Sequence, residues 1–421
     1  MIRNIFKLFA LFTGSFLFSQ TATTSPYSYA GLGEVNFRGT QINRFMGGLE
    51  IYNDSIHANL SNPSSYAKLK LTNYSLGLNY RTNNMIGANE TKSIASAGLD
   101  YIGVALPTKY FGFGFGIIPY TSVGYKLSHL ETSENDDENI LNLFEGEGGI
   151  NKVFFSVGFK ALKNLSFGAT LNYNFGQIIY ETGRFQNEVT LGTVLENRSS
   201  VSGLDLKLSS HLEIPVNENL ELQSMLSYSP EANLTSTNSR FFNTRPYSGS
   251  SSFGDQVEIA LIDFGLKRTN IRIPHVISFG MGVGEERKWF AGTQYTMNGM
   301  KNFSHEFINL ANVDYENGYQ FSLGGFFIPD FSSITSYWKR IVFRMGFRHE
   351  LTGRMVNNFG LKETGINFGL GLPLSGFSNA NIGFEYVSRD GGEGSLFKEN
   401  FWSFRIGFSL NDKWFIKRKF N

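Results

Sequence analysis

Cysteine is missing from this chain altogether. That excludes a disulfide framework, a thiolate metal site and a lipoprotein anchor cysteine. Charge is scarce, at 17% of residues against ~25% in a typical soluble domain. Neither sign prevails: 37 basic and 36 acidic residues leave a net charge of +1, with no electrostatic footprint for nucleic acid. Beyond the N-terminus no apolar run reaches helix-spanning length, so a membrane-embedded chain of this kind must cross as strands. His57, His129, His211, His275, His305 and His349 are scattered without metal-ligand spacing, and neither a G-x-S-x-G elbow nor a P-loop occurs. No motif supports an enzyme, a cofactor or a metal.

Aromatic residues and glycine are abundant instead, with 41 Phe, 19 Tyr and 46 Gly among 421 residues. The length suits one large barrel or two to three ordinary domains. At the start, Arg3 and Lys7 precede an almost wholly apolar run, Leu8 to Phe18, followed by small and polar residues from Ser19 to Ser25. This is the layout of a secretory signal peptide over residues 1–20, and the run is too short to span a membrane. The chain is therefore expected to be exported.

The strongest signal is period two. Leu165, Phe167, Ala169, Leu171, Tyr173 and Phe175 alternate with Ser166, Gly168, Thr170, Asn172 and Asn174. Ile366, Phe368 and Leu370 alternate with Asn367 and Gly369; Trp402, Phe404, Ile406, Phe408 and Leu410 alternate with Ser403, Arg405, Gly407 and Ser409. A soluble sandwich also alternates. Segments of ten residues or more, bulky aromatics on one face and glycines on the other favour a transmembrane antiparallel β-barrel. Long polar connections fall near 82–92, 131–149, 178–197, 230–256, 300–316, 351–362 and 389–399, and short ones near 107–109, 162–164, 214–218, 284–287, 329–336 and 374–378. They join fourteen strands over 71–410, with one long strand assumed from Val257 to Val283. Long loops belong outside and short turns in the periplasm, so both ends are periplasmic. Residues 21–70 do not alternate, yet Phe37, Phe45, Met46, Leu49, Ile51, Tyr52, Ile56 and Leu60 need burial. The segment reads as a lumenal plug, or hatch, rather than a disordered leader.

Four features suggest chemistry. Pro119 interrupts the Phe111–Ile117 alternation just after Gly116 and Ile118, where a missing N–H fits either a wall opening or a benign bulge. Glu131, Glu134, Asp136, Asp137, Glu138, Glu145 and Glu147 read as a solvated acidic loop, with a divalent cation as the sharper alternative. Arg340, Arg344 and Arg348 share one face of strand eleven and point into the lumen, to attract a carboxylate or, preferably, to pair with acids such as Glu385. The tail 411–421 sets Lys413, Lys417, Arg418 and Lys419 around Trp414, Phe415 and Ile416, as an interface anchor does.

Met46-Gly47-Gly48, Asn53-Asp54-Ser55 and Asn62-Pro63-Ser64 resemble the hatch of the FadL family of outer-membrane hydrophobic-compound channels, whose usual triplet is Asn-Pro-Ala. The tail resembles the Bacteroidetes branch of such barrels, which includes members acting in assembly or secretion. The resemblance implies a fourteen-strand barrel with an N-terminal plug and lateral release through a kink in the third strand, at Gly116, Ile118 and Pro119. It implies ligand contacts at the hatch residues Phe45, Met46, Asn62 and Pro63, and an outer groove in which Leu141, Leu143 and Phe144 serve. The leading expectation is passive uptake of a small hydrophobic compound, fatty acid-like or aromatic. The alternative is an accessory subunit of an outer-membrane assembly or secretion complex. Expected partners are outer-membrane lipid and lipopolysaccharide, the hydrophobic molecule, and other envelope proteins for the alternative.

Overall fold

Successive side chains of a strand point to opposite faces, so the stripes require a sheet with one continuous bulky face. A computed structural model describes residues 23–87, 90–132, 139–187, 189–247, 256–308, 310, 312–374, 378–392 and 397–413. The leader 1–20, the acidic residues Glu134, Asp136, Asp137 and Glu138, and the tail from Trp414 onward lie outside the described residues.

Among the described residues fourteen strands build the wall. They are β1 (Thr72–Ile86), β2 (Thr91–Pro107), β3 (Phe111–Glu131), β4 (Ile140–Leu162), β5 (Leu165–Gln186), β6 (Gly192–Pro215), β7 (Leu220–Ser229 continued by Ala232–Arg245), β8 (Arg268–Ile273 continued by Val276–Glu285), β9 (Trp289–Asn298), β10 (Gly318–Phe327), β11 (Val342–Val356), β12 (Phe359–Pro373), β13 (Asn379–Asp390) and β14 (Lys398–Asp412). Neighbours in sequence pair antiparallel, and β14 pairs along β1 from Asp412↔Thr72 to Lys398↔Ile86, which closes the barrel.

The two faces separate as the stripes require. Phe167, Leu171, Tyr173, Phe368, Phe384 and Trp402 are exposed on the outside, while Ser166, Thr170, Asn172 and Asn174 are buried within. A continuous aromatic exterior of this size is stable against hydrocarbon and not against water.

Several polar stretches expected as loops are strand instead. β1 continues to Ile86, β5 to Gln186, β13 to Asp390, and Ala232–Arg245 is ladder. β11 and β12 turn on Asn357 and Asn358, at φ 51° and 67°. The cause is length: β6 has 24 residues, whereas ~9–11 cross a bilayer. Above the hydrocarbon the outer face needs no apolar residues, so alternation fades while the hydrogen-bonded ladder continues. The single strand expected over Val257–Val283 is also broken. It divides into Gln256–Glu258, a 3-10 turn Leu261–Phe264 ended by Gly265 at φ 68°, Arg268–Ile273 and Val276–Glu285. Pro274 between the last two has no N–H to give the ladder.

Candidate functional site

The interior is filled by the N-terminal segment, which seats on inward-facing glycines of two opposite walls. A Cβ on Gly369 or Gly383 would stand 2.2 or 2.7 Å from the Phe45 ring; on Gly324 it would stand 2.3 Å from the Met46 carbonyl oxygen, and on Gly346 1.9 Å from the Gly47 amide nitrogen. Gly47 itself holds φ 75°, a backbone region that favours glycine. Half the circumference away, Tyr66 and Pro63 close on β3, β4 and β5. Here a Cβ would meet the Tyr66 oxygen at 1.9 Å from Gly112, the Tyr66 ring at 2.3 Å from Gly114, and Pro63 backbone at 2.5 and 2.3 Å from Gly158 and Gly168. The hatch thus spans the lumen and touches bare backbone on both sides.

Asn62 sets the second anchor. Its Oδ1 accepts from the Ser64 amide at 3.2 Å and from the hydroxyls of Ser64 and Ser209 at 2.7 Å each, the last on β6. Pro63 follows at the first position of a 3-10 turn, where its fixed φ costs nothing. Replacing Asn62 by alanine removes the cap and one of the two bonds to Ser209, leaving the Ser64 amide to Ser209 Oγ bond at 2.9 Å. The expected cost is about 1–3 kcal/mol of hatch docking, read as faster proteolysis within 23–70 while the barrel stays folded.

Between the anchors lies a buried ion network. The hatch contributes Glu34, Arg38 and Arg44; the wall contributes Arg81, Asp100, Arg348, Glu350, Glu363, Glu385, Arg389, Glu399 and Arg405. Arg389 reaches Glu34 and Glu399 at 2.8 Å and Glu363 at 2.9 Å. Arg44 reaches Glu385 at 2.8 Å, and Arg405 bridges Glu385 at 3.0 Å and Asp100 at 2.7 Å. Arg38 holds Glu350 at 2.6 Å and Glu363 at 3.1 Å, and Arg81 pairs with Glu34. The void left among these groups is about 20 Å³, room for about one water.

The three arginines expected on one face part company. Arg348 pairs with Glu350, Glu363 and, at 3.8 Å, Glu385. Arg344 is buried and donates to Asn381 at 2.9 Å. Arg340 does not join them: it ends a 3-10 turn, Trp338–Arg340, with its guanidinium over the Tyr337 ring. Strand periodicity breaks there because β11 begins only at Val342. Near the short-turn end of the lumen, Asp54 takes hydrogen bonds from the Ile56 and His57 amides, beside the His57 ring. Burial pushes the Asp54 carboxyl up; the His57 ring and these bonds outweigh it and hold the group well below the usual carboxylate range.

The wall opens beside Pro119. The β2–β3 ladder runs only from Pro107↔Gly112 to Ile102↔Ile117. Gly116 lies in its last pairs, with space for a Cβ closed by the Ile102 oxygen at 2.1 Å, and Ile118 packs in a cluster with Tyr66 and Phe154. β3 then bulges against β4 at Pro119/Thr121. Above the bulge the hatch replaces β2: Glu34 and Val35 pair with Ser122 and Thr121, and the Asn36 amide donates to the Tyr120 oxygen at 2.9 Å. A cavity of about 730 Å³ lies over the hatch and borders the split, lined by Thr24 and Pro26 of the hatch, Lys92 and Ile94 of β2, Tyr125 to Ser128 of β3, and Glu145, Glu147 and Glu181. Leu141, Leu143 and Phe144 are not among its lining residues. They were expected in a loop but pair within β4, opposite Leu130, Ser128 and Leu127, because the β3–β4 ladder persists to Glu131↔Ile140.

Sequence reasoning missed the hatch charges and most of the network. Two signals were visible: Arg348 and Glu385, expected to pair in the lumen, and Arg405, which lies on the small face of an otherwise apolar stripe and so faces the same interior as Glu385 with the opposite charge.

Among solved structures the chain is similar to the toluene transporter TbuX of Ralstonia pickettii, at 12% identity, TM-score 0.57, over 88% of this chain and 98% of that one. It is likewise similar to a Pseudomonas aeruginosa FadL homologue, at 12% identity and TM-score 0.57 over 89% and 98%, and to the CymD monoaromatic hydrocarbon channel, at 10% and 0.56 over 89% and 98%. Such identities establish a shared fold. No curated protein matches in sequence. The expected FadL resemblance is thus met in fold, while the family profile that aligns with residues 1–421, the whole length, is BamG. The chain belongs to the BamG family.

Proposed function

We propose that this barrel is a closed accessory subunit of an outer-membrane protein assembly or secretion complex, and not an open pore. One observation carries the reading: the lumen is crossed by a hatch clamped on both walls and filled between them by paired buried charges. An apolar solute moving through would have to part ion pairs in a poorly solvated interior, where leaving one partner alone costs several kcal/mol. The hydrocarbon channels are neighbours in fold alone, so their cargo does not carry over. In this reading the sealed interior gives rigidity, and partners are met on the outside.

A second reading has its own observation. A cavity large enough for a small ligand lies over the hatch and borders the split between β2 and β3, which suits passive uptake of a fatty acid-like or aromatic compound with lateral release. Its lining weighs against apolar cargo, since Glu90, Lys92, Lys126, Glu145, Glu147 and Glu181 all contribute. One paired experiment decides. Uptake of labelled oleate and toluene is measured with and without the protein, and the full chain is purified in mild detergent. The expected result is unchanged uptake and a stoichiometric envelope partner. Protein-dependent uptake with a monomeric barrel overturns the proposal and supports transport.

A further inference from the structure

The split leaves a stretch of strand edge unpaired above the hatch. Among the described residues, β2 from Thr91 to Tyr101 pairs only with β1, and β3 above Ser122 pairs only with β4. The hatch covers the lower part of the β3 edge. Two of its bonds fix which groups face that edge: the Asn36 amide donates to the Tyr120 oxygen at 2.9 Å, and the Gly124 amide donates to Ser28 Oγ at 3.1 Å. In an antiparallel strand alternate residues turn both backbone groups to the same side. Lys126, Ser128 and Leu130 therefore direct N–H and C=O into the split, while Leu127 and His129 bond β4. Across the gap the top of β2 is exposed at Thr91, Lys92, Ser93 and Ala95.

We propose that this open edge takes an extended segment of a partner protein, which adds as an antiparallel strand to β3 above the hatch. The proposal rests on the accessory-subunit reading and names its docking mode. The chain itself demonstrates the chemistry, because its own residues 34–36 already add to this edge in that sense. An unpaired edge is a ready template for strand addition. The mouth carries Lys92, Lys126, Glu90 and Glu145, so the incoming segment is polar and of mixed charge rather than an apolar helix.

The test uses the full chain in its native outer membrane, with a photo-crosslinking amino acid at Ser93, Ala95 or Leu127, and at Leu171 and Phe368 on the far outer wall as controls. Each edge position is combined with Ser128→Pro, which removes one edge N–H and leaves the β4 ladder intact, or with Lys126→Ala, which removes a side chain only. The expected result is an adduct confined to the edge positions, mapping to one extended stretch of one partner. Its yield falls about tenfold with Ser128→Pro and holds with Lys126→Ala. Equal adducts at the controls, or a yield indifferent to Ser128→Pro, overturn the docking mode. If the partner still copurifies in that case, the accessory reading survives without it; if no partner copurifies at all, both fall.

Discussion

Gly346→Val is expected to unseat the hatch without opening the barrel. A Cβ at this position would lie 1.9 Å from the Gly47 amide nitrogen and 2.3 Å from the Met46 carbonyl carbon. Both are backbone atoms and have no rotamer with which to move aside. Gly47 cannot retreat, because it is itself pressed on the wall, where its own Cβ would meet the Phe347 oxygen at 2.6 Å. Overpacking of a filled site typically costs 1–3 kcal/mol, and the rigid partners here place the loss at about 3 kcal/mol or more. The wall survives, since Gly346 keeps its ladder neighbours Gly324 and Asn367. The measurement is limited proteolysis of residues 23–70 in the detergent-purified barrel, set beside the heat-dependent gel mobility that reports an intact barrel. Rapid cleavage with normal barrel mobility is the expected pair. Gly365→Ala is the control: its Cβ meets nothing closer than 3.4 Å, so it should be silent.

Arg389→Met is expected to be the most damaging single loss of charge. The guanidinium is 1% exposed and serves Glu34, Glu363 and Glu399 at once, with Ser25 Oγ at 2.8 Å. Without it Glu34 keeps Arg81, and Glu363 keeps Arg38 and Arg348. Glu399 is left with uncharged donors, Asn83 and Ser25. A buried charge stripped of its partner costs about 3–5 kcal/mol. Arg389→Lys should not rescue, because one ammonium cannot reproduce a planar fork that meets three carboxylates. Adding Glu399→Gln to Arg389→Met should recover a large part of the loss. Thermal unfolding in detergent reads all three variants. Wild-type stability in Arg389→Met would show that the network is not what holds hatch to wall.

The contrast between these residues explains what could be read in advance. The stripes at Leu165–Phe175 and Trp402–Leu410 were legible because hydrocarbon on one side and a packed lumen on the other impose strict alternation. Where β5, β6, β11 and β12 rise above the bilayer, water replaces hydrocarbon and the pattern dissolves, so ladder was read as loop. Arg340 was misplaced by carrying the period of β11 backward across a turn that does not share it. The hatch was recognisable at Met46-Gly47-Gly48 and Asn62-Pro63, but its sockets were not. Gly324, Gly346, Gly369 and Gly383 come from four strands, and only the closed barrel brings them under one ring and one turn. The network was hidden for the same reason: Glu34 and Arg389 are 355 residues apart in sequence and 2.8 Å apart in space. Pro119 announced a disturbance of the wall, yet that the hatch would take up part of the freed edge depends on a two-residue strand too short for any periodicity to reveal.

Hydrogen exchange on the intact barrel in detergent tests the sealed interior most directly. The amides of Phe45, Met46, Gly47 and Gly48 bond to the turn Gln41–Arg44, and that of Ser65 bonds to Asn62. If the hatch is fixed, these amides exchange as slowly as those of β12 and β13 behind them. Exchange within seconds, while the barrel ladder stays protected, would mean a hatch that leaves its sockets, and the closed-subunit account would be wrong.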